Sequence, residues 1–166
     1  SRDQRTKQNY LWWKRQAFVG LRCQGGDRDG SRRGDSEMIQ LFQYPHLTLM
    51  QTSTPWTQDD SINGYDDIEK FENDFIDLMI AEKGMGLAAN QIGITKRFFA
   101  IGHSSFDTFK NHAIIWNPQV INFSEDKVID VEGCLSFKGI WLKVERPSIV
   151  EVKYETTQGE TKFAKL

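Results

Sequence analysis

Two short stretches hold the residue types that could do chemistry. The first is GMGLAANQ, Gly84 to Gln91, in which two glycines flank Met85 and two alanines precede an Asn-Gln pair. Something must approach this backbone closely, or the backbone takes conformations that glycine permits. The second is VEGCLSFKG, residues 131–139, with Cys134 between Gly133 and Leu135 and with Glu132 beside it. A lone cysteine is commonly an inert buried residue. Gly133 argues for an exposed turn, where a thiolate ligand or a nucleophile is the alternative. Residue type alone leaves both open. Gly84 to Ala89 also fits a loose dinucleotide fingerprint with alanine as the third small residue. That fingerprint must follow a strand and open a helix, whereas this one follows a helical stretch and leads to strands.

Taken together, the two stretches say more. Gly84-Met85-Gly86-Leu87-Ala88-Ala89-Asn90-Gln91, followed roughly forty residues later by Glu132-Gly133-Cys134-Leu135-Ser136, closely resembles the first two signature motifs of peptide deformylases. The likeness continues in IQLFQYPHLTL and in Gly139 with Arg146-Pro147, and it covers residues 38–166. It implies removal of the formyl group from N-formylmethionine on newly made proteins, with nascent formylmethionyl peptides, at the ribosome or free, as partners. It also implies one divalent metal held by one cysteine and two histidines: Fe2+ first, with Zn, Ni or Co as alternatives. Cys134 would be the thiolate ligand, and a metal-bound water would ionise near neutral pH. The backbone N–H of Leu135 and the side-chain amide of Gln91 would meet the oxyanion. Gly84, Met85 and Gly86 would lie along an extended peptide substrate, with Ala88 and Ala89 keeping that wall thin.

The chain departs from the family pattern twice. Lys138 follows Phe137 where many relatives have proline, which loosens the substrate-side loop. The third motif, H-E-x-x-H on a helix, should supply both histidine ligands and the acid/base glutamate, and these 166 residues lack it. The histidines are His46, His103 and His112, each read as a loop or surface residue. The expectation is a chain incomplete at its C-terminus, with the metal-binding helix starting about ten residues beyond Leu166 and no activity in the chain as it stands. Two readings from other classes stand beside it. One is an inactive deformylase-like module that binds peptides. The other is an amidase using Cys134 as nucleophile, which needs a neighbouring base for which the sequence offers no evident candidate. Glu132 and Arg146 either pair beneath the site or stand as solvated charges.

Several elements must position these groups. In DDIEKFENDFIDLMIAEKG (66–84), Ile68, Phe71, Phe75, Leu78 and Met79 recur at helical spacing, with acids at the start and Lys83-Gly84 closing the end. RFFAIG (97–102), AIIWNPQVI (113–121), KVIDVEG (127–133), WLKVERP (141–147), IVEVKYE (149–155) and TKFAKL (161–166) read as short strands, the last entered through a TTQGE turn. One long helix among short strands predicts an α+β fold with a mainly antiparallel sheet.

The bulk properties set the frame. The 166 residues suit one domain, 39% hydrophobic and 27% charged. No apolar run approaches the length of a membrane-spanning helix, and a net charge of −2 makes no electrostatic case for nucleic acid. Two cysteines in unrelated contexts point to a reducing compartment, hence the cytoplasm, or an organelle if the N-terminus is a transit peptide. A monomer is expected. Residues 1–37 hold nine Lys/Arg against five Asp/Glu, whereas residues 38–166 hold twelve against eighteen. The first segment is Gly-, Asp-, Arg- and Ser-rich towards its end and is read as a disordered or non-native leader before the domain at 38–166.

Overall fold

A computed structural model of the chain describes residues 39–62, 64–102 and 113–166. The leader 1–37 and the expected loop positions of His103 and His112 lie outside these residues. The α+β expectation holds: among the described residues there is one α-helix, and every strand ladder is antiparallel.

The helix α1 spans Ile68–Ala81. Asp67 caps it, its side chain accepting from the Glu69 N–H at 2.9 Å, which satisfies one of the donors that a helix start leaves unpaired. The stripe read from spacing is the buried face, with Phe71, Phe75 and Met79 fully enclosed and Ile68 and Leu78 half-buried. Its end differs in detail from the expected Lys83-Gly84 stop. Lys83, not Gly84, takes the left-handed position at φ 59°. The Gly84 N–H then reaches the Met79 carbonyl at 2.8 Å and the Lys83 N–H reaches Ile80 at 2.9 Å, the paired closure of a Schellman turn.

Among the described residues seven strands follow: β1 (Gly86–Ala88), β2 (Phe98–Ile101), β3 (Ala113–Phe123), β4 (Lys127–Cys134), β5 (Phe137–Pro147), β6 (Val150–Glu155) and β7 (Thr161–Lys165). They form a five-stranded sheet in the order β1-β2-β3-β6-β7 and a separate β4–β5 hairpin. Helix α1 packs on the sheet through aromatic contacts. Phe98 meets Phe71 and Phe75 edge-on at 5.6 and 5.4 Å, and Trp116 lies 4.4 Å from both Phe98 and Trp56. These offset and edge geometries are the ones ring quadrupoles favour. The β4–β5 ribbon, by contrast, exposes apolar side chains on both faces, including Ile129 and Trp141 on one and Leu142 on the other.

Three local features lay beyond the periodicity. Strand β1 falls inside the glycine-alanine motif, where three residues are too few to alternate. Strand β5 begins at Phe137 rather than Trp141, because Gly139 at φ 80° is absorbed within the strand. The N-terminal segment, which shows no helical period, closes into a 3-10 turn at Leu47–Met50, capped by the His46 side chain.

Candidate active site

The two chemical motifs meet. Strand β1 runs into a 3-10 turn, Ala89–Ile92, that ends at Gly93 with φ 84°. This turn carries Gln91, half-buried, towards the β4–β5 turn that carries Cys134, Leu135 and Ser136. The Gln91 Nε2 donates to Ser136 Oγ at 3.2 Å and lies 3.7 Å from Cys134 Sγ. Its Oε1 accepts from the Ala88 N–H at 2.8 Å. Cys134 is a free, exposed cysteine, which disposes of the inert buried alternative.

Glycine at 84 has a packing reason. A Cβ there would lie 2.7 Å from Leu135 Cδ1 and 3.2 Å from the Gly86 carbonyl oxygen. At Gly86 it would lie 3.3 Å from the carbonyl oxygen of Ala100 on the paired strand β2. Met85 and Gly86 are exposed, while Leu87 beneath them is buried. Among the described residues β1 is an edge strand, paired on one side with β2, and the backbone of this motif presents its other side away from that pairing. A Cβ at Gly133 would meet the exposed Trp141 ring at 2.9 Å, so that ring would have to shift.

Arg146 and Glu132 do pair. Nε donates to Oε1 at 2.5 Å and Nη2 donates to Oε2 at 2.7 Å, a two-pronged bridge that runs diagonally along one face of the hairpin, where Glu132 stands opposite Leu142 and Arg146 opposite Val128. The Arg146 hydrogen bonds hold the Glu132 carboxyl below its ordinary 4.5, and Glu132 in turn pushes the Arg146 guanidinium up.

Sequence reasoning passed over a set of supporting residues from the N-terminal segment. Phe42 N–H donates to the Gln91 carbonyl at 2.8 Å and Tyr44 N–H to the Ser136 carbonyl at 2.9 Å. Gln43 Nε2 reaches the Leu135 carbonyl at 2.9 Å, and Thr48 Oγ1 reaches Asn90 at 3.0 Å. Phe42 also fills the space where a Gly93 side chain would begin, at 2.9 Å. These contacts span at least 42 positions in sequence, and no local pattern signals them. His46 is a loop residue as expected, stacked on Phe42 with ring centroids 3.9 Å apart.

Metal chemistry needs several converging donors. Cys134 provides one sulfur at the surface. Among the described residues no three His, Cys, Asp or Glu side chains come together to hold an ion, and Glu132 is engaged by Arg146. The described residues therefore do not by themselves fit a resident metal.

Comparison with known proteins bears on this arrangement. Residues 38–166 match the family model described as polypeptide deformylase. The chain is 35% identical over 120 residues to the peptide deformylase of Bartonella quintana, a match covering 72% of this chain and 65% of the relative. It is 33% identical over 122 residues to that of Thermotoga petrophila, covering 74% and 67%. The chain thus spans about two thirds of the length of these curated relatives. Among solved structures, peptide deformylase from Thermotoga maritima superposes with a TM-score of 0.66 at 29% identity, over 78% of this chain and 81% of that one. The Plasmodium falciparum peptide deformylase superposes at 0.65 with 34% identity, over 76% and 72%. With both motifs joined through Gln91 and with matches of this extent, the chain belongs to the peptide deformylase family.

Proposed function

We propose that this domain takes part in hydrolysis of the formyl group from N-formylmethionyl peptides, releasing formate. The observation that carries the reading is the position of the Gln91 amide, with one end held by the Ala88 N–H and the other between Ser136 Oγ and Cys134 Sγ. A donor fixed in this way serves an oxygen on which charge develops, because it needs no reorganisation at the moment of reaction. The Leu135 N–H lies on the same turn and is the second donor.

The substrate lies along β1. An edge strand offers unpaired backbone groups to an extended chain, and Gly84, Met85 and Gly86 leave that approach open. Cys134 would be the one ligand that the described residues offer a divalent ion, iron in this reading, and such an ion would supply a water that ionises near neutral pH. The residues that would complete its ligand set are not among those described. The protein acts as a monomer on nascent peptides in the cytoplasm or in an organelle.

The test has two arms. Adding formyl-Met-Ala-Ser to the 15N-labelled chain should shift the amide resonances of Gly86, Leu87 and Leu135 and the side chain of Gln91. A version joined to the H-E-x-x-H segment of a relative should release formate, lose the activity to a chelator, and lose roughly 100-fold in rate on Gln91→Ala. Shifts confined to other surfaces, or turnover that survives both Cys134→Ser and chelation, would overturn the reading. A second reading, an inactive peptide-binding module, stems from Cys134 standing without converging donors among the described residues and predicts the shifts without turnover in the joined version.

A further inference from the structure

Ser136 is the buried polar residue of the described structure, 1% exposed. Burying a hydroxyl without a partner is costly, and this one is spent on a single side chain, accepting from Gln91 Nε2 at 3.2 Å. Its backbone is anchored as well, since its carbonyl accepts from the Tyr44 N–H at 2.9 Å. The hydroxyl is therefore a fixed point.

The Gln91 amide has two ends, and both are defined by partners. The Ala88 N–H can only donate, so the atom beside it at 2.8 Å is the amide oxygen. The nitrogen consequently faces the cysteine turn. It carries two N–H groups: one meets Ser136 Oγ, and the other faces Cys134 Sγ at 3.7 Å, a weak acceptor at long range. The second N–H is thus the one free to meet a substrate oxygen. Without Ser136 the amide would keep its oxygen contact but could turn about its terminal torsion, which is broad and poorly held by rotamer preference alone.

We propose that Ser136 is a positioning residue: its buried hydroxyl holds the Gln91 amide so that one N–H projects over Cys134 towards the reacting carbonyl. The assignment rests on the deformylase reading for its purpose, but its geometry stands apart from turnover. Serine suits the place because alanine would fill nearly the same volume and remove only the acceptor.

The experiment follows the Gln91 side-chain NH2 in the 15N-labelled 166-residue chain, its signals identified by their loss in Gln91→Glu. In the wild type the Gln91 amide should be ordered, with an order parameter near that of rigid backbone at about 0.85, while the exposed Gln158 amide falls below about 0.6. Ser136→Ala should bring Gln91 down to the Gln158 level and leave the core resonances of Phe71 and Trp116 in place. Ser136→Thr, which restores the oxygen, should recover most of the order. An ordered Gln91 amide in Ser136→Ala would overturn the assignment. Should Ser136→Ala fail to fold, a mobile Gln91 amide in the wild type overturns it equally, and an ordered one recovered in Ser136→Thr supports it. Formate release does not enter the readout. An ordered amide beside a peptide that binds elsewhere would end the deformylase reading and leave this one standing.

Discussion

The Cβ that Gly84 lacks would sit 2.7 Å from Leu135 Cδ1. The first glycine of one motif is thus fitted to the leucine of the other, 51 positions later in the chain. Gly84→Ala forces the Leu135 side chain to move. The clash is with the far end of a half-buried side chain, so its cost should be at the low end for overpacking, about 1 kcal/mol in urea unfolding. Leu135→Ala in the same chain should remove most of that cost. Additive losses in the double variant would show that the two residues do not share this space.

Glu132 and Arg146 make a testable electrostatic contribution. The folded Glu132 carboxyl titrates below its ordinary 4.5 because Arg146 hydrogen-bonds its charged form. A depressed carboxyl stabilises the fold above its unfolded pKa, and the contribution is lost as pH falls through the folded one. Both side chains are more than a third exposed, 60% for Arg146 and 37% for Glu132, so solvent screening keeps the effect below about 1 kcal/mol. Melting temperatures of wild type and Glu132→Gln should differ modestly at neutral pH and converge in acid. A gap that persists in acid would assign the loss to packing instead.

Glu72 runs the other way. Burial on the helix flank raises its carboxyl, only partly offset by the hydrogen bond from Trp116 Nε1 at 2.8 Å. A raised acid favours the fold below its unfolded pKa and gives up that advantage as pH rises through the folded value. Glu72→Gln keeps an acceptor for the indole and removes the buried charge. It should therefore melt a few degrees higher than wild type at neutral pH and show no advantage in acid. A lower melting temperature at neutral pH would show that the charge-assisted bond to Trp116 outweighs the desolvation.

Much of this was legible in the sequence because it is local. The apolar stripe of α1 recurs at a helical period, and the stretches around Phe98, Ile115 and Val152 carry the β-branched and aromatic signature of strands. The convergence of Gln91 and Cys134 was legible only through the family resemblance, since nothing in either stretch encodes the turn-to-turn meeting. Ser136 and Gln43 were not legible as supports. Their roles depend on contacts with residues 45 and 92 positions away, and a serine or glutamine in a loop carries no periodic signal. The left-handed Lys83 was missed because glycine is the residue expected there; Gly84 is kept for Leu135 instead.

The N-terminal segment should divide sharply into a dispensable and an essential part. If residues 1–37 are a leader outside the domain, as their composition leads us to expect, their removal should leave the unfolding midpoint unchanged. Removal through Pro45 deletes the Phe42 and Tyr44 N–H donors, the Gln43 amide and the aromatic ring set against Gly93. At about 1 kcal/mol for each hydrogen bond and up to about 2 kcal/mol for the partly buried ring, the loss should reach several kcal/mol. Phe42→Ala alone isolates the ring and should cost about 1–2 kcal/mol, since the side chain is half-buried. The position of the damage matters more than its size. Hydrogen exchange should quicken first at the 3-10 turn bearing Gln91 and at the Cys134–Ser136 turn, while the amides of β2 and β3 keep their protection. Uniform loss across the sheet would mean that residues 39–45 support the core as a whole, and that the site draws no particular benefit from them.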